Sequence, residues 1–139
     1  MLLKNAKILA IDDDQDILGV VKMLLRSEVK EIITEKNPSL LAQNQFDLIL
    51  LDMNYKSSLN TGNEGIFWLR KISEINKTVA VIMITAYGGI DLVVRSVKEG
   101  ANDCVLKLWR NEKLLEAIAV NVEHLAVSNK NNSSNLPPR

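Results

Sequence analysis

Three consecutive carboxylates at Asp12, Asp13 and Asp14, a separate Asp52, the hydroxyl of Thr85 and the ammonium of Lys107 each stand where a short branched-apolar run gives out. The runs are Ile8 to Ile11, Phe46 to Leu51, Val79 to Ile84 and Cys104 to Leu106. Carboxylates converging from two strands repel one another unless a cation joins them. Oxygen donors alone suit Mg²⁺, with Mn²⁺ as its alternative, better than zinc, which wants imidazole or thiolate ligands. A transferring phosphoryl group is ringed by negative charge, so an attacking carboxylate needs that charge offset and its approach aligned. The cation and Lys107 can do the first, and the strand end at Asp52 the second. The pattern is the outline of a phosphoryl-accepting aspartate. An acyl phosphate on Asp52 would offer new anionic oxygens to the Thr85 hydroxyl. A charge-assisted hydrogen bond contributes about 1.5–3 kcal/mol, which shifts a two-state equilibrium roughly 10-fold to 100-fold.

Taken singly, each station has a plainer reading. An acidic triplet caps a helix, Asp52 makes a turn, Thr85 ends a strand and Lys107 is a solvated lysine. Their joint order on four strand ends points to chemistry.

The elements that must position them alternate. After the first strand, Asp14 is an N-cap, and Ile17, Val20, Val21, Leu24 and Leu25 follow at helical spacing to about Ser27. Glu31 to Thr34 reads as a second strand and Pro38 to Gln43 as a short second helix. Ile66, Leu69, Ile72 and Ile75 mark a third helix, and Val79 to Ile84, the most apolar strand, is expected to be central. Gly88 and Gly89 open a fourth helix with Ile90, Val93, Val94 and Val97 on one face, closed by Gly100 as a left-handed cap. Asn111 caps a fifth helix whose buried stripe is Leu114, Leu115, Ile118, Val122 and Leu125. Five β and α pairs predict an α/β fold, a doubly wound five-stranded parallel sheet with helices on both faces. Sites in such sheets form beyond the carboxyl ends of the strands. The polar stretch from Asn54 to Asn63 is long for a connection of this kind.

Bulk properties narrow the function. The 139 residues, 47% apolar, suit one domain. The 17 basic and 17 acidic residues cancel, so no global field favours nucleic acid. No apolar stretch is long enough to cross a bilayer and no signal peptide is evident, so a cytoplasmic location is expected. One cysteine, Cys104, excludes an internal disulfide and a thiolate metal cage. Trp68 and Trp109 are expected to cover core edges, and His124 to be an ordinary helix residue. The domain is read as residues 1–127, with 128–139 a polar linker leading to an absent output domain.

The segments ILAIDDDQDIL, DLILLDMN, GNEGIFWLRKI, VIMITAYGG and VKEGANDCVLKLW together resemble the receiver domain of two-component response regulators, over roughly Lys4 to Val127. The surroundings of Trp68 and Trp109 look most like receivers of nitrogen-regulator-type, sigma-54-dependent transcriptional activators. The resemblance implies a flavodoxin-like (CheY-like) sheet of strand order 2-1-3-4-5. It implies Asp52 as the phosphoacceptor, with Asp13 and Asp52 as metal ligands, Asp12 as a ligand through water, and the Asn54 backbone carbonyl as a further ligand. It implies Thr85 as the switch hydroxyl and Lys107 as the phosphate partner, with Asn54 and Tyr87 modulating dephosphorylation. The implied partners are a sensor histidine kinase, a second copy of the chain through the fourth helix, fifth strand and fifth helix, and an attached ATPase and DNA-binding output. Neither nucleic acid nor membrane is an expected partner of this domain. Such a chain is a switch and not an enzyme, beyond phosphotransfer and loss of phosphate at Asp52 itself.

Two positions depart from the family. Leu108 follows Lys107 where proline with a cis peptide is common, and a cis bond before a non-proline residue costs about 2.5–4 kcal/mol. A trans bond and a displaced Lys107 loop are therefore expected. Cys104 stands where the family has the aromatic residue that changes rotamer with the threonine, so a weakened readout through the last strand is expected. These departures leave room for a degenerate receiver that binds a partner without stable phosphorylation. An aspartyl-phosphate phosphatase fits less well, because that class carries a second aspartate two residues after its nucleophile, and here that residue is Asn54.

Overall fold

The computed structural model describes residues 3–36, 46–52, 63–76, 78–85, 90–107 and 109–133, without the side chains of 63, 64, 90, 92 and 124–133. Five strands, β1 (Lys7–Ile11), β2 (Glu31–Glu35), β3 (Leu48–Asp52), β4 (Ala80–Thr85) and β5 (Asp103–Leu106), form one sheet in the order β2-β1-β3-β4-β5. All four pairings are parallel. A 3-10 turn (Leu3–Asn5) precedes β1, and four α-helices are described: α1 (Gln15–Leu25), α2 (Asn63–Ile75), α3 (Ile90–Lys98) and α4 (Asn111–Ser133). The short helix expected over Pro38 to Gln43 lies outside the described residues.

The strand sequences explain the layering. Parallel strands covered on both faces are apolar throughout, and every residue of β3 and β4 is buried. Alternate residues divide between two cores. Ile8, Ala10, Leu48, Leu50, Ile82 and Ile84 pack with Leu18, Val21 and Leu25 of α1 and with Leu114, Ile118 and Val122 of α4. Leu9, Ile11, Ile49, Leu51, Val81 and Met83 pack with Ile66, Leu69 and Ile72 of α2. Helix α3 lies against α2 and β5. Trp109 and Trp68 are half-buried at the edges of the first and second cores, as expected.

Polar contacts at the amino ends of the strands pin the register. The Lys7 amide donates to Asp47 Oδ2 at 2.9 Å, while the Asp47 amide donates to the Lys7 carbonyl at 2.8 Å. The Ala80 amide donates to the Asp47 carbonyl at 3.1 Å, so one residue aligns β1, β3 and β4.

Several expectations change in detail. The middle strand is β3, with β4 one place from it, because the order reverses between β1 and β3. On α1, Leu18 is buried and Val20 is 49% exposed. On α2, Ile75 is 40% exposed beyond the last buried turn. On α3, Val93 and the fully buried Ser96 turn inward while Val94 and Val97 are exposed, so its valines do not share one covered face. Asn111 is the first helical residue of α4, and the Arg110 carbonyl accepts from the Leu114 amide at 3.1 Å. Helix α4 also runs past Val127 into the polar tract as far as Ser133.

Ile82 is fully buried in β4 and faces both α1 and α4 through the first core. Ile82→Ala is expected to lower unfolding free energy by about 2–5 kcal/mol, measured by urea denaturation.

Candidate functional site

The reversal of strand order puts a crevice at the carboxyl ends of β1 and β3. Ile11 is in register with Leu51, so the next residues, Asp12 and Asp52, stand level with each other. Both are buried, at 3% and 2% exposure, and Asp13 is exposed. Carboxylate oxygens of Asp12, Asp13 and Asp52 lie within 4.8 Å of one another. Asp14 has a structural role instead: its backbone is extended (φ −89°, ψ 106°), and its Oδ1 accepts the Asp16 amide at 3.0 Å as the N-cap of α1. The plain reading of the triplet thus holds for its third member alone.

Thr85 and Lys107 arrive from the other side. Thr85 ends β4 at 1% exposure and is in register with Leu106. The Lys107 amide donates to the Thr85 carbonyl at 2.8 Å, which ties the segment after β5 to the end of β4. From there Lys107 Nζ reaches 3.2 Å from Asp12 Oδ2 and 3.5 Å from Asp52 Oδ1. The displacement expected from Leu108 is therefore not found at Lys107, because the backbone bond to Thr85 anchors the residue ahead of that position. Leu108 itself, with Asn54 and Tyr87, lies outside the described residues.

The electrostatics are those of a site one cation short of balance. Burial raises the Asp12 pKa above the ordinary carboxylate value, and this outweighs the opposing pull of the Asp14 amide and of Lys107. The Asp14 amide donates to Asp12 Oδ1 at 2.9 Å. Asp12 Oδ2 is buried with no hydrogen-bond partner, although Lys107 Nζ is near it. Burial alone would lower the Lys107 pKa, but the Asp52 and Asp12 carboxylates prevail and raise it. One ammonium thus serves two buried acids.

An unsatisfied carboxylate oxygen beside two others fits a hard divalent cation. Asp12, Asp13 and Asp52 would hold Mg²⁺ or Mn²⁺ here, and the ion would supply positive charge against phosphoryl oxygens. The link from Lys107 to Asp12 was not legible in the sequence, since spacing along the chain says nothing of which acid an ammonium reaches.

Cys104 lies in β5 in register with Met83 and packs at the edge of the second core. It is half-buried, and burial followed by the nearby Asp103 raises its thiol pKa. That is the behaviour of a packed thiol, not a reactive one.

A family model described as the response regulator receiver domain matches residues 8–119. The chain is 27% identical over 129 residues to the transcriptional regulatory protein ZraR of Klebsiella oxytoca, covering 90% of this chain and 28% of that one. It is 26% identical over 112 residues to the chemotaxis protein CheY of Listeria monocytogenes, covering 81% of this chain and 94% of that one. Among solved structures, the N-terminal signal receiver domain of a two-component system response regulator from Bacteroides fragilis superposes with a TM-score of 0.73 at 38% identity, covering 85% of this chain and 96% of that one. The chain thus spans nearly the whole of some relatives and just over a quarter of others.

Because burial dominates at Asp12, its charge costs stability above the unfolded-state pKa, and that cost fades as falling pH protonates it. Asp12→Asn is expected to stabilise the cation-free protein at neutral pH, read as a higher urea midpoint, with the gap closing toward acid. Added Mg²⁺ is expected to raise the melting temperature of the parent and much less that of the variant, as read by calorimetry.

Proposed function

Since the chain belongs to the response regulator receiver domain family, we propose that it is a phosphorylation-driven switch in which Asp52 accepts a phosphoryl group from a sensor histidine kinase. Receiver domains are signalling switches, not enzymes that turn over a separate substrate. The observation that carries the assignment to Asp52 is its place between two acidic neighbours and Lys107, all at one sheet crevice. In the transfer, a bond forms between an Asp52 carboxylate oxygen and phosphorus as the phosphorus–nitrogen bond of phosphohistidine breaks. The chain aligns the nucleophile, since Asp52 is the last residue of a fully buried strand. Lys107 offsets the charge of the arriving oxygens and is already within reach.

The readout we propose runs through Thr85. Its hydroxyl would hydrogen-bond the new phosphoryl oxygens, and its carbonyl is already fastened to Lys107. The change is then passed to α3, β5 and α4. Val94, Val97 and Leu106, which are 44%, 55% and 54% exposed, lie on the elements that this reading assigns to contact. Self-association there would control an attached effector. ZraR, a transcriptional regulatory protein of which this chain covers 28%, supports a setting in transcriptional control, and a cytoplasmic location belongs to the same reading. Asn54 as a metal ligand through its carbonyl, and Asn54 and Tyr87 as modulators of phosphate loss, remain part of this reading by resemblance. Cys104 in place of an aromatic makes the path through β5 weaker than in relatives that carry one.

Incubation with an acyl phosphate donor and Mg²⁺ is expected to add one phosphoryl group by intact-protein mass, and Asp52→Asn to abolish it. An adduct that persists in Asp52→Asn would move the acceptor elsewhere. No adduct under conditions that label a receiver with an intact motif would favour a partner-binding module that takes no phosphate. In the labelled protein, size-exclusion chromatography is expected to show a shift toward dimer. Val97→Glu is expected to weaken that dimer at least tenfold while leaving the adduct intact.

A further inference from the structure

The orientation of Asp12 is set at two points. Its amide donates to the carbonyl of Glu35, the last residue of β2, at 3.2 Å, which fixes its main chain at the sheet. Its carboxylate is fixed through one oxygen: Oδ1 accepts the Asp14 amide at 2.9 Å, with Lys107 Nζ farther off at 3.5 Å. Oδ2 is left buried and without a hydrogen bond, 3.2 Å from Lys107 Nζ. A carboxylate held by one oxygen presents the other in a set direction.

The amide that holds it depends on Asp14. The Asp14 backbone is extended (φ −89°, ψ 106°) immediately before α1, with ψ roughly 150° from its helical value. Were residue 14 to join the helix, the peptide before it would turn away from Asp12. Two bonds tie residue 14 to the helix: its carbonyl accepts the Leu18 amide at 3.2 Å, and its Oδ1 accepts the Asp16 amide at 3.0 Å. A residue inside the helix makes the first bond equally well. The second, from a side chain to an amide that the helix start leaves without an internal partner, is what keeps residue 14 outside. The two carboxylates therefore act in series, Asp14 holding the Asp16 amide and Asp12 the Asp14 amide.

We propose that Asp14 is a positioning residue for the cation held by Asp12, Asp13 and Asp52: its cap on α1 keeps the Asp14 amide on Asp12 Oδ1, so that Asp12 Oδ2 meets the ion already ordered. This rests on the reading of the crevice as a divalent-cation site, and it gives Asp14 no contact with the ion. Residues that orient a metal ligand change affinity by about 10-fold to 100-fold when replaced. The role requires a capping oxygen and no charge, which separates it from simple attraction of cations by a third acid.

The test measures Mg²⁺ affinity by calorimetric titration of the parent chain and of Asp14→Asn, Asp14→Ala and Val21→Ala, each shown to be folded by circular dichroism. Asparagine keeps the capping oxygen without the charge, and its affinity is expected within about twofold of the parent. Asp14→Ala is expected to bind roughly tenfold more weakly. Val21 is buried under α1, away from the cap, so Val21→Ala costs stability and is expected to leave affinity unchanged. In metal-free protein, amide exchange followed by NMR is expected to show residue 14 protected in the parent and in Asp14→Asn, and at least about tenfold less protected in Asp14→Ala. Equal weakening in Asp14→Asn and Asp14→Ala would assign the effect to charge, and equal weakening in Asp14→Ala and Val21→Ala would assign it to stability. Either result overturns the proposal, as does parent-like affinity in Asp14→Ala. No binding by the parent would bring down the cation reading instead. The exchange comparison, which needs no metal, would then judge the hold of Asp14 on Asp12, and undiminished protection in Asp14→Ala would end that as well.

Discussion

Two carboxylates, Asp12 and Asp52, are buried side by side at the ends of adjacent strands, and the rest of the site is organised around that repulsion. Burial strengthens it, because the solvent that would screen the charges is excluded. Lys107 answers it from across the sheet, and a divalent cation would answer it more fully. Natural folds keep an arrangement this costly mainly where binding or chemistry uses it. The remainder of the molecule supplies rigidity. Strands β3 and β4 are buried throughout, and Asp47 and Asn102 pin the register at the far ends of the strands. A one-residue slip would turn Asp52 from the crevice into a core face.

The same geometry divides labour between the two sides of the sheet. The core under α1 and α4 is continuous and holds the acidic strand ends in place. On the other side, α2 is joined to the end of α3 by the paired Arg70–Glu99 bonds, and Asn102 is bonded to Val81 at the start of β4. An exposed bidentate ion pair of that kind fixes an orientation and contributes little to stability.

The fold was legible because its signals are local and repeated. Buried parallel strands announce themselves as unbroken apolar runs, Gly100 marks a left-handed cap, and Asp14 marks a helix start. The errors arose where periodicity underdetermines direction. Four valines and isoleucines at helical spacing on α3 read as one covered face, yet Val94 and Val97 are exposed and Ser96 is buried, because the neighbours of α3 decide which arc is covered. The extension of α4 to Ser133 was missed for a related reason: polar residues carry no burial pattern, and helical hydrogen bonds do not require one.

By itself the sequence determined which residues end the strands, and with them the residue types available to the crevice, since strand ends follow from apolar runs and turn chemistry that act over a few residues. Only the tertiary structure decided their partners. That Lys107 bridges Asp12 as well as Asp52, that Leu108 does not carry it away, and that Arg70 meets Glu99 all depend on how far apart non-neighbouring strands and helices come to rest. Those separations are set by side-chain packing across the sheet, a long-range property that no window of the sequence contains.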